Sequence, residues 1–335
     1  MGTPCAHKPG RCRARRPSRS MQAASLLSTP THPMTMTTPR LLTLALQLAL
    51  TASMIGALPA QAGPVSDRLK EGGKIVVAYR SDVFPFSFED AKGKPAGYAI
   101  EMCQNMLAGV QRKLGIKKLN IDYKKVTGKT RLETVIKHEA DIECGSTFSN
   151  AERAKSVSFT VPHFITGTRL MVPTTSAVKE LVDLRGKKIA IGVGTTAAQM
   201  VKKMNADAGL NLQLIEYPDN EKAFAAVVGG QADGFMLDEV LMRAQIVDRK
   251  VDDKVKIVGK YMWVDAMAMV LPPDDPEFKK LVDEEMRRMV LAKESNDLYD
   301  RWFIKPNPVN GVNMGLPMSH LLREFWKYPS DHVPF

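Results

Sequence analysis

The sequence predicts an α/β protein of two similar lobes, each an open, mostly parallel sheet flanked by helices, joined by two strand runs. Three observations carry this. From residue 73 onward, strand-like and helix-like segments alternate as β-α-β-α-β, the unit of a parallel sheet. About forty residues after that unit ends, the same order returns. The two units also finish alike, with EADIECG in the first and QADGFMLD in the second, a weak internal repeat.

The chain has 335 residues, enough for two domains with sizeable cores. Its first part stands apart. Residues 41–58, LLTLALQLALTASMIGAL, carry no charge, follow Arg40, and precede Ala60-Gln61-Ala62. A short apolar run with a small-x-small site behind it is the pattern of a secretory signal peptide, so the mature chain is expected to begin near Gly63. A single membrane anchor is the competing reading, and the run is short for it. Residues 1–33 fit no part of a signal peptide, which places the expected start at Met34 or Met36. Residues 1–62 hold seven basic residues and no acidic ones, so the mature charge is +11 less seven, or +4. The basic balance that would suggest nucleic acid therefore leaves with the presequence, and no nucleic-acid partner is expected. Cys5 and Cys12 leave too. Cys103 and Cys144 remain, either as one disulfide of an exported chain or as two buried thiols.

In the mature chain GKIVVAY (73–79) reads as a strand, AIEMCQNMLAGVQRKLG (99–115) as a helix stopped by Gly115, and LNIDYKKV (119–126) as a strand. TRLETVIKHEA (130–140) reads as a helix and ADIEC (140–144) as a strand. The second unit repeats this with KKIAIGVG (187–194), a helix over 196–209, a strand over 213–217, a helix over 220–230, ADGFMLD (232–238), and a helix through Val247. Between the units lies the β-rich run 156–173, and after them the β-rich run 261–272. Those two runs are the expected hinge. They divide the chain into a first lobe over 63–166 and 266–335 and a second over 167–265. A helix from about Asp275 to Trp302 and a Pro-rich tail complete the chain.

Ligands of open parallel sheets sit beyond the carboxyl ends of the strands. There the sequence places ECGSTFSNAER, 143–153. Gly145 allows close backbone approach, and Ser146 and Thr147 offer hydroxyls. Ser149 to Glu152 spells a capping box, which predicts a helix start and its anion-favouring N–H groups. Arg153 then offers a bidentate guanidinium. In the second unit, Thr195 and Thr196 stand at a strand-to-helix turn that is not a P-loop, since the lysine is missing. Asp238 closes ADGFMLD, where it either accepts from an ammonium group or merely caps the next helix. Arg80 closes the first strand and Arg131 opens the helix after the third. One acid and several arginines at strand ends suit an amino acid with more than one negative group.

No catalytic or metal-binding constellation is visible, and no cofactor is expected. His138, His163, His320 and His332 are scattered, with no G-x-S-x-G and no H-E-x-x-H.

With these residues in view, the chain resembles the periplasmic amino-acid-binding proteins of ABC importers, bacterial solute-binding family 3, and within it the glutamate/aspartate-binding branch. The resemblance rests on LKEGGKIVVAYRSDVFPFSFEDAKGKPAGYAIEM, TRLETVIKHEADIECGSTFSNAER, FITGTRLMV, LVDLRGKKIAIGVGTTA, FMLDEVLM and DDPEFKKL, and runs from about residue 68 to the end. It implies a type II two-lobed fold closing on an amino acid, an inner-membrane ABC permease as partner, a monomer, and a periplasmic location. It assigns Arg153, Thr196 and Thr195 to the α-carboxylate, Ser146 and Asp238 to the α-ammonium, and Arg80 and Arg131 to the side-chain carboxylate. Three positions depart from the branch: Phe148 replaces a small hydroxyl residue, Gly128 a serine, and Asn220, counted with the ligand-binding set, a histidine. They bear on the side-chain pocket. Some relatives carry a disulfide elsewhere; here a Cys103–Cys144 pairing is expected, from a helix and an adjacent strand. The resemblance implies a binding protein and no enzyme. The competing function is a dehydratase-like enzyme on the same scaffold, with Glu143 or His163 as its acid or base.

Overall fold

A computed structural model describes residues 65–332. The expected presequence at 1–62 and its cleavage site lie outside the described residues.

Helix α1 (Val65–Gly72) feeds β1 (Lys74–Arg80). A small antiparallel sheet of β2 (Asp82–Val83), β3 (Ser87–Glu89) and β4 (Pro95–Ala96) follows. Helix α2 (Tyr98–Leu114) buries Tyr98, Met102, Met106 and Val110 and stops at Gly115 with φ 67°, the left-handed cap that glycine adopts without penalty. Next come β5 (Asn120–Val126), α3 (Arg131–Ile136), β6 (Ile142–Glu143), β7 (Phe148–Ser149) and β8 (Ser158–Phe159). Strand β9 (Phe164–Pro173) then leads to β10 (Lys188–Gly192), α4 (Thr196–Asp207), β11 (Gln213–Tyr217), α5 (Asn220–Val228), β12 (Gly234–Asp238) and α6 (Glu239–Arg249). Strand β13 (Val255–Met267) returns the chain to β14 (Val270–Leu271), α7 (Pro276–Leu291), α8 (Glu294–Tyr299) and α9 (His320–Phe325).

Two sheets carry the lobes. One has the order β5-β1-β6-β14-β8 and the other β11-β10-β12-β9-β13-β7. In the first, β1 runs parallel to β5 and β6; in the second, β10 runs parallel to β11 and β12. The antiparallel pairs come from the connecting strands. The chain leaves the first sheet through β9 and returns through β13, and the two pair from Phe164↔Met267 to Val255↔Pro173 around a bulge between Val258 and Trp263. A bulge bends and twists a ladder locally. Phe164 anchors this ladder in the first lobe, its ring 4.9 Å from Phe86 and 5.1 Å from Phe303. The hinge is therefore two strands rooted in an aromatic core.

Two expected helices are shorter than their apolar pattern. The helix over 130–140 ends at Ile136, because the Glu139 and Ala140 N–H groups both turn back to the Thr134 carbonyl and His138 takes φ 53°. The helix expected over 275–302 breaks at Lys293, φ 63°, which frees α8 and a wide turn over Asp300–Ile304 to bury Leu298, Tyr299, Trp302 and Phe303.

Cys103 on α2 and Cys144 after β6 form a disulfide with Cα atoms 6.2 Å apart. It closes a loop with sequence separation 41. On the loop-entropy model that stabilises the fold by about 4 kcal/mol. Replacing both cysteines by serine is expected to lower the denaturant midpoint by a corresponding amount, and urea titration with and without reductant checks it. Equal midpoints would show the bridge to be energetically silent.

Candidate functional site

The carboxyl ends of the parallel strands converge on one pocket between the two sheets. From the first sheet it takes Arg80, the last residue of β1, and Arg131, the first of α3. Ser146, Phe148 and Arg153 come from the segment after β6. From the second sheet come Thr195 and Thr196 at the start of α4, Asn220 at the start of α5, and Asp238 at the end of β12. These are nine of the ten side chains that the sequence assigns to a ligand or its pocket, with Phe148 counted among them. The tenth, Thr147, does not line the pocket. Its hydroxyl donates to Glu143 Oε2 at 2.8 Å, beneath the loop.

Three guanidiniums dominate the site, and all are buried. Arg153 Nη1 donates to the Phe148 carbonyl at 2.8 Å. Arg131 Nη1 donates to the Gly128 carbonyl at 2.7 Å, and Nη2 to the Gly194 carbonyl at 3.3 Å across the cleft. Burial, with the charges of Arg153 and Arg80, pushes the Arg131 guanidinium down to about 9. It still carries its charge at neutral pH, with no carboxylate hydrogen-bonded to it among the described residues. Arg80 differs: its Nε and Nη2 both donate to the Asp82 carboxylate, at 2.8 and 2.5 Å. Sequence reasoning missed Asp82. The signal was present, since residues two apart on an extended chain share a face.

Asp238 is the acid of the pocket. Its side chain caps no helix N–H and accepts instead from Thr168 Oγ1 at 3.3 Å. Burial raises its pKa to about 7, with the Asp265 charge adding to this and the Thr168 hydrogen bond and Arg153 opposing it. Asp265 on β13, also unforeseen, is raised by burial to about 6, with Arg153 again opposing.

The capping-box expectation is wrong. Ser149 belongs to β7 and its hydroxyl donates to the Ala266 carbonyl, while Asn150 Oδ1 accepts the Arg153 N–H at 3.0 Å. Only a three-residue 3-10 turn, Arg153–Lys155, follows. Pairing of β7 with β13 wins over the local cap, so this segment supplies a side chain and no helix N-terminus. Thr195 is the true cap: its hydroxyl accepts from the Ala198 N–H at 3.0 Å and donates to the Gly192 carbonyl at 2.9 Å. That leaves the Thr196 hydroxyl as the one turned to the pocket without such a commitment.

Glycine matters at two points. A Cβ at Gly145 would lie 2.3 Å from Glu143 Oε1, so a side chain there would require the Glu143 carboxylate to shift. A Cβ at Gly128 would lie 2.8 Å from the Val193 carbonyl oxygen, and one at Gly194 2.4 Å from the Gly128 carbonyl. The lobes thus meet backbone to backbone at the arginine end of the pocket.

Glu143 and His163 do not line the pocket. Both are fully buried; burial raises the Glu143 pKa and lowers that of His163 to about 3. A second cavity lies at the hinge, walled by Phe164, Val240, Tyr261 and Leu316. Its charged members, Glu239 and Arg243, are already paired with each other at 3.1 Å.

The profile of bacterial extracellular solute-binding proteins, family 3, matches residues 75–305. The chain belongs to that family. This family-3 protein is 34% identical over 265 residues to the L-glutamate/L-aspartate-binding protein of Pseudomonas aeruginosa, covering 79% of this chain and 88% of the relative. It is 32% identical over 289 residues to the glutamate/aspartate import solute-binding protein of Escherichia coli, covering 85% and 95%. Among solved structures, an ancestral amino-acid-binding protein described as a precursor of cyclohexadienyl dehydratase superposes with a TM-score of 0.62 at 23% identity, covering 71% of this chain and 98% of that one. That likeness speaks to the type II two-lobed fold alone.

Proposed function

We propose that this family-3 protein is a periplasmic solute-binding protein that captures glutamate or aspartate by cleft closure and delivers it, as a monomer, to an ABC permease. The observation that carries the reading is that one pocket gathers three buried arginines and one buried aspartate. In this reading Arg153 and Asp238 take the α-carboxylate and α-ammonium that every amino acid has. Arg131 and Arg80 take a second carboxylate. The names of the relatives support the same class of ligand. In this reading residues 63–166 and 266–335 form one lobe and 167–265 the other, with Thr196 and Ser146 completing the amino-acid clamp. The protein acts by capture and not by turnover. Glu143 and His163, the sequence's candidates for an enzymatic acid or base, do not line the pocket.

Phe148, Gly128 and Asn220 shape the side-chain end. Asn220 Oδ1 is buried with no hydrogen-bond partner among the described residues, which offers a further polar contact there. The test is calorimetric titration of the chain from Gly63, stripped of carried-over ligand by unfolding and refolding. Micromolar or tighter binding of glutamate or aspartate, with glutamine and asparagine much weaker, is the expected result. Preference for neutral amino acids would retain the Arg153–Asp238 clamp and discard the acidic side-chain pocket.

The raised pKa of Asp238 makes binding pH-dependent with a definite sign. The α-ammonium needs the ionised carboxylate. Above about 7 that form is present at no cost; below it, binding must expel a proton. Affinity for glutamate is therefore expected to fall as pH drops through 7, by up to about tenfold per unit, since one pKa unit is 1.36 kcal/mol. For the ligand-free fold the sign is opposite. Between 3.8 and about 7 the folded chain holds a proton that the unfolded chain lacks, so this group's contribution makes stability fall as pH rises through that window. Titrations at pH 8 and 6 check the first sign; equal affinities would remove Asp238 from the ammonium site.

A further inference from the structure

Asp82 makes contacts on both sides of the cleft. It belongs to the first lobe, on β2, and is largely buried, with 14% of its side chain exposed. Toward its own lobe it takes both Nε and Nη2 of Arg80, the bidentate geometry that fixes a guanidinium in plane and direction. Toward the other lobe it faces the first turn of α5, the nine-residue helix that begins at Asn220. Strand β2 packs against that helix, which brings the Asp82 carboxylate to its first turn; the Asn220 N–H there lowers the Asp82 pKa, while the Asp82 charge raises that of Glu221. Asp219, the cap of α5, is already committed to the Lys222 N–H at 2.8 Å. The Asn220 N–H belongs to the first residue of α5, among the donors that a helix leaves without an internal acceptor.

We propose that Asp82 is a positioning residue with two duties: it pins Arg80, leaving Nη1 and the second Nη2 hydrogen for a ligand, and it latches the first lobe to the amino end of α5 when the cleft closes. The proposal rests on the acidic amino-acid reading of the pocket. It changes how that pocket is counted. Of its three cations, Arg80 arrives already neutralised. Arg131 is left as the free cation for a side-chain carboxylate, and Arg153 as that for the α-carboxylate. Part of the closure free energy then comes from a contact between protein and protein, formed only when the lobes meet. The electrostatics agree. Burial works to raise the Asp82 pKa, but the Arg80 charge and hydrogen bonds, with the Asn220 N–H, outweigh it and hold it below the usual carboxylate value.

A latch that forms after capture acts on escape, not on encounter. Stopped-flow measurements with L-glutamate and L-glutamine on wild type, Asp82→Asn and Asp82→Ala separate the duties. Asp82→Ala is expected to speed glutamate dissociation by about tenfold or more while association changes by less than about threefold. Asp82→Asn keeps an oxygen that can accept the Asn220 N–H, so it should restore part of the residence time. It also leaves Arg80 unneutralised, so the glutamate-to-glutamine affinity ratio should rise above wild type. A purely structural role would lower the melting temperature and weaken both ligands equally. An unchanged dissociation rate, or an unchanged ratio with only a lower melting temperature, overturns the proposal. If wild type bound neither ligand, the acidic reading would fail by itself. The radius of gyration of the ligand-free chains would then decide: a larger value for Asp82→Ala than for wild type supports the latch, and equal values reject it.

Discussion

Arg153→Ala is expected to abolish measurable binding of every α-amino acid, acidic or neutral. Arg153 is buried, its N–H is held by Asn150 and its Nη1 by the Phe148 carbonyl, so the guanidinium is fixed before any ligand arrives. A pre-fixed donor fork loses little entropy on gripping a carboxylate. Truncating one partner of a buried, charge-assisted pair costs about 2–5 kcal/mol, which is roughly thirtyfold to several thousandfold in affinity. One feature pushes toward the upper end. Arg153 opposes the upward pKa shifts of both Asp238 and Asp265. Its loss would favour the protonated form of Asp238 and so weaken the ammonium site as well. Calorimetry with glutamate, aspartate and glutamine reads the loss directly. A thermal scan gives the control, because the ligand-induced rise in melting temperature should vanish while the ligand-free transition survives. Arg153→Lys keeps the charge but not the fork, and should recover only part of the affinity. Retention of affinity within about threefold in Arg153→Ala would remove Arg153 from the α-carboxylate site.

Much of this site was legible in the chain because open parallel sheets put their chemistry at strand ends. Arg80, Arg131 and Asp238 each stand at the end of a strand or the start of a helix, and sequence position alone places them. What the sequence hid is pairing. Ser149-x-x-Glu152 reads locally as a helix cap, but β13 recruits Ser149 into a ladder from over a hundred residues away, and no local pattern reports that. Asp265 was missed for a related reason: it looks like an ordinary surface acid until the fold brings the Arg153 charge to bear on it, whereas Asp82, two residues from Arg80, was legible and overlooked. Thr147 shows the converse. It is a hydroxyl in the expected loop, yet between β6 and β7 it bonds to Glu143 and does not line the pocket.

The second large effect is expected of Arg131→Ala, and it should divide ligands by charge. Glutamate and aspartate should weaken by about a hundredfold or more, and glutamine by much less. The asymmetry follows from what Arg131 lacks. Its Nη1 and Nη2 each reach one backbone carbonyl, its Nε has no partner among the described residues, and the repulsion of Arg153 and Arg80 outweighs the attraction of Glu143 and Asp82. A buried cation in that position is repelled by its neighbours and desolvated, and a ligand carboxylate relieves both. Removing it should therefore leave ligand-free stability unchanged or raise it, while acidic-ligand affinity collapses. That is the trade expected where a site stores unfavourable charge for use in binding. Arg80→Ala should act in the same direction but more weakly, because Asp82 already neutralises Arg80. The ordering is the sharp part of the test. If Arg80→Ala cost glutamate more than Arg131→Ala does, Arg80 would be the principal reader of the side chain. If glutamate and glutamine lost equally in Arg131→Ala, the second carboxylate would have to be read somewhere else.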